Sequence, residues 1–138
     1  MDDKVKRNLV NIALNNLKNS YAPYSGFNVS ACVMTSTGKI FTGVNVENAS
    51  YPAGICAERA ACYSAIASGE RKIEAIAIVG GKNFKADDFC PPCGICRQVL
   101  REFSSPSELI IILGTADGRM KEFTLEELLP ESFGPEML

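Results

Sequence analysis

Ile73-Glu74-Ala75-Ile76-Ala77-Ile78-Val79-Gly80 is an apolar run interrupted by a single charge. A strand with one wet face alternates polar and apolar residues, whereas a strand covered on both faces is apolar nearly throughout. The run therefore predicts a central strand with helices on both sides. Downstream, Lys82 to Phe89 is a polar loop, and Pro91 and Pro92 precede a helix expected from Cys93 to Phe103. Proline suits that place because the first helical N–H has no partner to lose. Leu109 to Leu113 predicts a second buried strand, Ala116-Asp117-Gly118-Arg119 a turn, and Met120 to Thr124 a last short strand. Thr124 is placed to cap a short helix over Leu125 to Leu129, which Pro130 ends, and the tail ESFGPEML reads as loop.

Upstream, an alanine-rich helix is expected from Cys56 to Ser68, with Gly69 as its stop. Asn48 to Ile55, holding Pro52 and Gly54, is a loop. Before it, Val29, Ala31 and Val33 alternate with Asn28, Ser30 and Cys32, Thr35-Ser36-Thr37-Gly38 turns, and Ile40 to Glu47 returns as a second strand of an antiparallel hairpin. Asn45 and Glu47 are two apart, so a strand points both to one face. Val5, Leu9, Ile12, Ala13 and Leu17 mark an amphipathic N-terminal helix that ends before Tyr21-Ala22-Pro23-Tyr24-Ser25-Gly26. The order α-β-β-α-β-α-β-β-α predicts an α/β fold, a three-layer α-β-α sandwich around one mixed five-stranded sheet. Residues 1–138 are read as one catalytic domain.

Composition narrows the function. The 138 residues are 46% hydrophobic and 22% charged, which excludes a disordered chain. No apolar run approaches the ~20 residues of a membrane helix, and the charged start MDDKVKRNLVNIALNN has no signal-peptide core; a cytoplasmic protein without a membrane partner is expected. A net charge of −2 argues against a nucleic-acid partner. There are six cysteines and no histidine. That removes Ser-His-Asp and Cys-His chemistry and every histidine metal site within one chain. A disulfide framework fits short secreted chains that lack a core, which this is not.

Cys93 and Cys96 form a C-x-x-C at a predicted helix start, on one helical face. Cys56 also begins a helix. The unpaired N–H groups and partial positive charge there favour thiolates, and three thiolates leave a zinc ion one open position for water. The C-x-x-C alone also suits a redox dithiol. Cys90-x-x-Cys93-x-x-Cys96 could close the metal site with a fourth sulfur, although Pro91 and Pro92 stiffen the chain against it. Cys32 and Cys62 read as small buried hydrophobes. Glu58, two residues after Cys56, is placed to act as the base for an activated water, though an acid at a helix start is common without any such role.

Cys56-Ala57-Glu58 followed by Pro92-Cys93-Gly94-Ile95-Cys96 resembles the cytidine deaminases, in their small homotetrameric, three-cysteine zinc branch. The likeness spans nearly the whole chain: Ala22-Pro23-Tyr24-Ser25-Gly26-Phe27, the stretch Gly43 to Tyr51, Cys56 to Arg59, Cys93 to Leu100, and Leu128 to Gly134. It implies one Zn2+ per chain on Cys56, Cys93 and Cys96, with Glu58 shuttling protons. It implies that Asn45 and Glu47 hold the ribose hydroxyls, that Phe27 packs on the pyrimidine, and that the Ala57 backbone meets the base edge. Tyr51 would help close the pocket, and Phe133 would stack on the base in a neighbouring subunit's site, which makes a homotetramer with shared sites the expected partner state. The implied reaction is hydrolytic deamination of free cytidine and deoxycytidine to uridine and deoxyuridine with release of ammonia, in pyrimidine salvage.

Three thiolates on a dication leave excess negative charge. Arg59, one turn from Cys56, is the candidate to offset it by hydrogen bonding to the sulfurs, against the plainer reading of a surface ion pair. A 3′-phosphodiester would meet Glu47, so polynucleotides are expected to be poor substrates. Two alternatives stay open at this point. One is a deaminase of another cytosine compound, of the blasticidin S aminoacylnucleoside type. The other is a non-catalytic structural zinc module closed by Cys90.

Overall fold

The structure, a computed structural model, describes residues 1–138. Helices α1 (Asp3–Asn16), α2 (Ala57–Ala67), α3 (Gly94–Glu102) and α4 (Leu125–Leu128) pack around strands β1 (Phe27–Thr35), β2 (Ile40–Val44), β3 (Ile73–Lys82), β4 (Ile110–Gly114) and β5 (Met120–Thr124). The five-stranded sheet runs in the order β2-β1-β3-β4-β5. Only β3 and β4 are parallel; their crossover is α3, while β1–β2, β1–β3 and β4–β5 are antiparallel. The α/β fold and mixed sheet match the expectation.

The alternation of β3 divides the core. Ile76 and Ile78 point into one cluster with Ala57, Ala61 and Cys62 of α2 and Leu100 of α3. Ala75, Ala77 and Val79 point into the other, against Leu9, Val10 and Ala13 of α1. The small alanines on the α1 side and the large isoleucines on the α2–α3 side fill layers of different depth, as close packing demands. No helix is long and apolar enough to cross a membrane.

Element edges differ from the sequence reading where side chains intervene. The β2 ladder stops at Val44 rather than Glu47. Beyond it Asn45 engages β1 through its side chain, and Val46 forms isolated bridges with Ile55 and Tyr21. Cys56 and Cys93 are the N-caps of α2 and α3 rather than their first residues. Thr124 caps α4 in a reciprocal capping box with Glu127. Short 3-10 turns fall at Leu17–Asn19, Tyr51–Ala53 and Pro135–Met137, inside stretches read as a helix end and as loops.

Gly43 fixes how closely α2 lies on β2. A Cβ there would stand 2.6 Å from the Ala57 carbonyl oxygen and overlap the Ala61 amide nitrogen. The glycine lets the helix backbone rest on the strand, and with it the N-terminal turn that carries the chemistry.

Candidate active site

Two helix starts meet at one point. Cys56 and Cys93 sit in extended backbone conformation at the N-caps of α2 and α3, and neither side chain accepts a backbone N–H of the helix it caps. Both sulfurs are thus free to turn outward beside the open N–H groups of the first turns. Cys96, one turn into α3 and fully buried, supplies the third. The three sulfurs lie within 4.8 Å of one another, with Cys56–Cys93 at 3.8 Å and Cys93–Cys96 at 3.5 Å. A tetrahedral site with metal–sulfur arms of about 2.3 Å separates its sulfurs by about 3.8 Å. The triangle therefore fits a zinc ion. Cys90 lies outside this cluster, and all six cysteines are free thiols.

Hydrogen bonding between the sulfurs favours the thiolate at Cys56 and the thiol at Cys96, whose own pKa that contact and burial raise. The Cys56 thiol is lowered to about 5, chiefly by hydrogen bonding with Cys96 and then by Arg59. Arg59 Nη2 donates to Cys56 Sγ at 3.5 Å, and its guanidinium is held above its ordinary value by that contact. Burial acts the other way on Cys90, whose thiol is pushed up to about 12 and stays protonated.

Glu58 is 4% exposed. Burial raises its carboxyl to about 7, with Cys56 nearby adding to the effect. A carboxyl near 7 can both take and return a proton at neutral pH. It faces a cavity of about 640 Å³, of the size that holds a small organic molecule. Phe27, Asn45, Glu47, Tyr51, Ala57 and Arg59 line the same cavity, together with Cys56, Cys93 and Glu58. The structure thus lines this cavity with every candidate named from the sequence except Cys96, the buried corner of the sulfur triangle, and Phe133. That phenylalanine is 57% exposed and does not line its own chain's cavity.

The polar wall of the cavity is held rigidly. Asn45 Oδ1 accepts from the Val29 amide at 2.9 Å and from the Ser20 hydroxyl, and its Nδ2 donates to the Phe27 carbonyl at 2.8 Å. Glu47 Oε1 accepts from the amides of Tyr24 and Ser25 at 2.9 and 3.1 Å, and Oε2 from the Ser25 hydroxyl. The Ser25 bonds hold the Glu47 carboxyl below its ordinary value. Asn45 keeps one amide hydrogen, and Glu47 keeps acceptor capacity, so the pair offers a donor beside an acceptor. Tyr24 and Tyr51 meet edge to face at the mouth, their centroids 5.9 Å apart.

Ser20 and Ser25 were not singled out from the sequence. Each lies more than twenty positions from the side chain it orients, so no local period marks it. Cys90 and Pro91 also line the cavity; the cysteine spacing drew Cys90 toward the metal, and only the backbone path shows it as a wall residue.

Residues 3–113 match the family described as cytidine and deoxycytidylate deaminase zinc-binding region. A cytidine deaminase of Halalkalibacterium halodurans is 39% identical over 128 residues, which are 93% of this chain and 93% of that one. A cytidine deaminase of Mycoplasma genitalium is 38% identical over 85% of this chain and 86% of its own length. The crystal structure of a cytidine deaminase from Burkholderia pseudomallei superposes with a TM-score of 0.83 at 40% identity, covering 96% of this chain and 100% of that one.

Proposed function

This chain belongs to the cytidine and deoxycytidylate deaminase family, and on that premise we propose that it hydrolyses free cytidine and deoxycytidine to uridine and deoxyuridine in pyrimidine salvage. It is a zinc-dependent nucleoside deaminase, and the Cys56, Cys93 and Cys96 triangle fits one zinc per chain. The observation that carries the reading is a buried carboxyl, Glu58, beside three convergent sulfurs on the wall of a nucleoside-sized cavity. The whole chain is read as one catalytic domain acting in the cytoplasm.

Bound zinc supplies the Lewis acidity that brings the pKa of a water toward neutrality. The protein groups do the rest. Glu58 takes the proton of the attacking water and delivers it to N3 of the pyrimidine while a C–O bond forms at C4. It then takes the proton of the new C4 hydroxyl and passes it to the exocyclic amine, the C–N bond breaks as the C4 carbonyl forms, and ammonia leaves. Burial suits Glu58 to both steps, since its carboxyl lies near 7. Arg59 offsets the surplus negative charge of the three thiolates. Phe27 packs on the base and the Ala57 backbone meets its edge. Asn45 donates to one ribose hydroxyl and Glu47 accepts from another, while Tyr51 closes the mouth. The ionised Glu47 repels a 3′-phosphate, so nucleic acid is not a substrate. Phe133, exposed on its own chain, completes the pocket of a neighbouring copy in a homotetramer.

The Asn45–Glu47 pair favours a free sugar over the aminoacylnucleoside blasticidin S, and Cys90 lies outside the sulfur triangle that a closed structural zinc module would need it to join. The fall in ultraviolet absorbance on adding cytidine to purified protein, with and without a zinc chelator, tests the reading. Glu58→Gln should keep one zinc per chain and lose about 1,000-fold or more in turnover, within the range of a lost general acid–base. Bound zinc with no wild-type turnover of cytidine would overturn it.

A further inference from the structure

The segment that carries Phe133 has no backbone support. From Pro130 to Phe133 no main-chain group bonds another main-chain group. Its polar attachments come from one face of α3 instead. Arg97 Nη1 donates to the Leu128 carbonyl at 2.7 Å, Gln98 Nε2 to the Phe133 carbonyl at 2.9 Å, and Arg101 Nε to the Ser132 hydroxyl at 2.8 Å. Arg101 also forks onto both carboxylate oxygens of Glu136. Arg101 is only 6% exposed, an unusual depth for an arginine with a single counter-ion. Gly134 lies directly on its guanidinium, where any Cβ would collide with it. Glu131, at φ 51°, turns the chain in the left-handed region to make this path. The outcome is a tail clamped on both sides of Phe133, by Ser132 and Glu136, with the phenyl ring left facing outward.

We infer that Arg101 is a positioning residue for the reaction: its fork to Glu136 and bond to Ser132 hold the tail so that Phe133 is presented, already ordered, to a neighbouring copy's pocket. The inference rests on the reading that Phe133 completes that pocket. Without the clamp the ring must be ordered again at each docking, and it occupies the neighbour's pocket for less of the time. The effect falls on substrate affinity, because Arg101 touches neither the sulfur triangle nor Glu58.

The test compares Glu136→Ala, Phe133→Ala and the double variant in the zinc-loaded protein. Glu136 is more than half exposed, so its removal opens no cavity in the core, and its cost is the counter-ion of the buried Arg101. Glu136→Ala should raise KM for cytidine about five-fold, which is about 1 kcal/mol, and change kcat less than about two-fold. Phe133→Ala should raise KM further, and the double variant should equal Phe133→Ala alone, because Glu136 acts through that ring. Gly134→Ala, which displaces the same segment from the guanidinium, should reproduce the Glu136→Ala effect. An unchanged KM in Glu136→Ala while Phe133→Ala raises it overturns the clamp and leaves the shared pocket standing. An unchanged KM in Phe133→Ala overturns the shared pocket itself. Additive effects in the double variant, or loss of assembly in Glu136→Ala, would show that the arginine acts by another route.

Discussion

Replacing Gly43 with alanine tests whether the contact between β2 and α2 seats the chemical end of that helix. The added methyl would stand 2.6 Å from the Ala57 carbonyl oxygen and 2.8 Å from the Ala60 carbonyl carbon, and would overlap the Ala61 amide nitrogen. All three are backbone atoms, which cannot swing aside as the tip of a side chain can. To regain ordinary contact the helix must withdraw by roughly 1 Å, and overpacking of this kind costs about 1–3 kcal/mol. The first turn of α2 holds Ala57 and Glu58, and Cys56 is its cap. The same withdrawal therefore moves the carboxyl and one sulfur relative to Cys93 and Cys96, which ride on α3. Misplacement on this scale costs about 100-fold in rate. Urea unfolding should show a lowered midpoint, steady-state assays a kcat/KM down by about 100-fold, and zinc titration a weaker site. A variant with a lowered urea midpoint but wild-type kcat/KM would refute the reasoning, since the helix start would then be held by something other than the strand beneath it.

Arg59→Ala should lower kcat by about ten-fold and change KM much less, because its bond to Cys56 serves the charge at the sulfurs rather than substrate contact; an unaltered kcat rejects the role. Ser25→Ala removes the hydroxyl that most depresses the Glu47 carboxyl. The folded pKa of Glu47 lies below its unfolded value, so its stabilising contribution is present above the unfolded pKa and is lost as pH falls through the folded one. The variant should lose cytidine affinity, and its thermal midpoint should fall less steeply on acidification than that of the wild type; superimposable midpoint–pH curves would count against the bond. Removing zinc should loosen the starts of α2 and α3 first, because the Cys56 and Cys93 side chains accept no backbone N–H of the helices they cap. Hydrogen exchange would show faster amides over 57–60 and 94–97 while β3 stays protected, and uniform acceleration across the chain would contradict this.

The layered fold could be read from the chain because burial leaves a periodic trace. The nearly continuous apolar run of β3 and the alanine-rich spacing of α2 each state which faces are covered. The metal triangle was readable from helix-start cysteines together with C-x-x-C. What escaped was set by polar side chains reaching across the fold. Asn45 ends the β2 ladder early by bonding β1 through its amide, and an asparagine in a strand-like run does not announce that. Ser25 looked like part of a Pro-Tyr-Ser-Gly breaker, yet its hydroxyl orients a carboxylate 22 positions away. Arg101 was not singled out, since nothing in its neighbourhood in sequence marks the tail that folds over it.

The sheet ends on two short strands of five residues each, β2 and β5. On β5, Lys121 and Glu122 are solvent-facing, and α4 begins at once after Thr124. Short margins, charged on the β5 side, resist pairing with a strand from another molecule. Copies of this chain that associate are thereby steered away from growing one continuous ribbon and toward meeting through helices and loops, the surfaces that hold the pocket mouth and the outward-facing ring of Phe133.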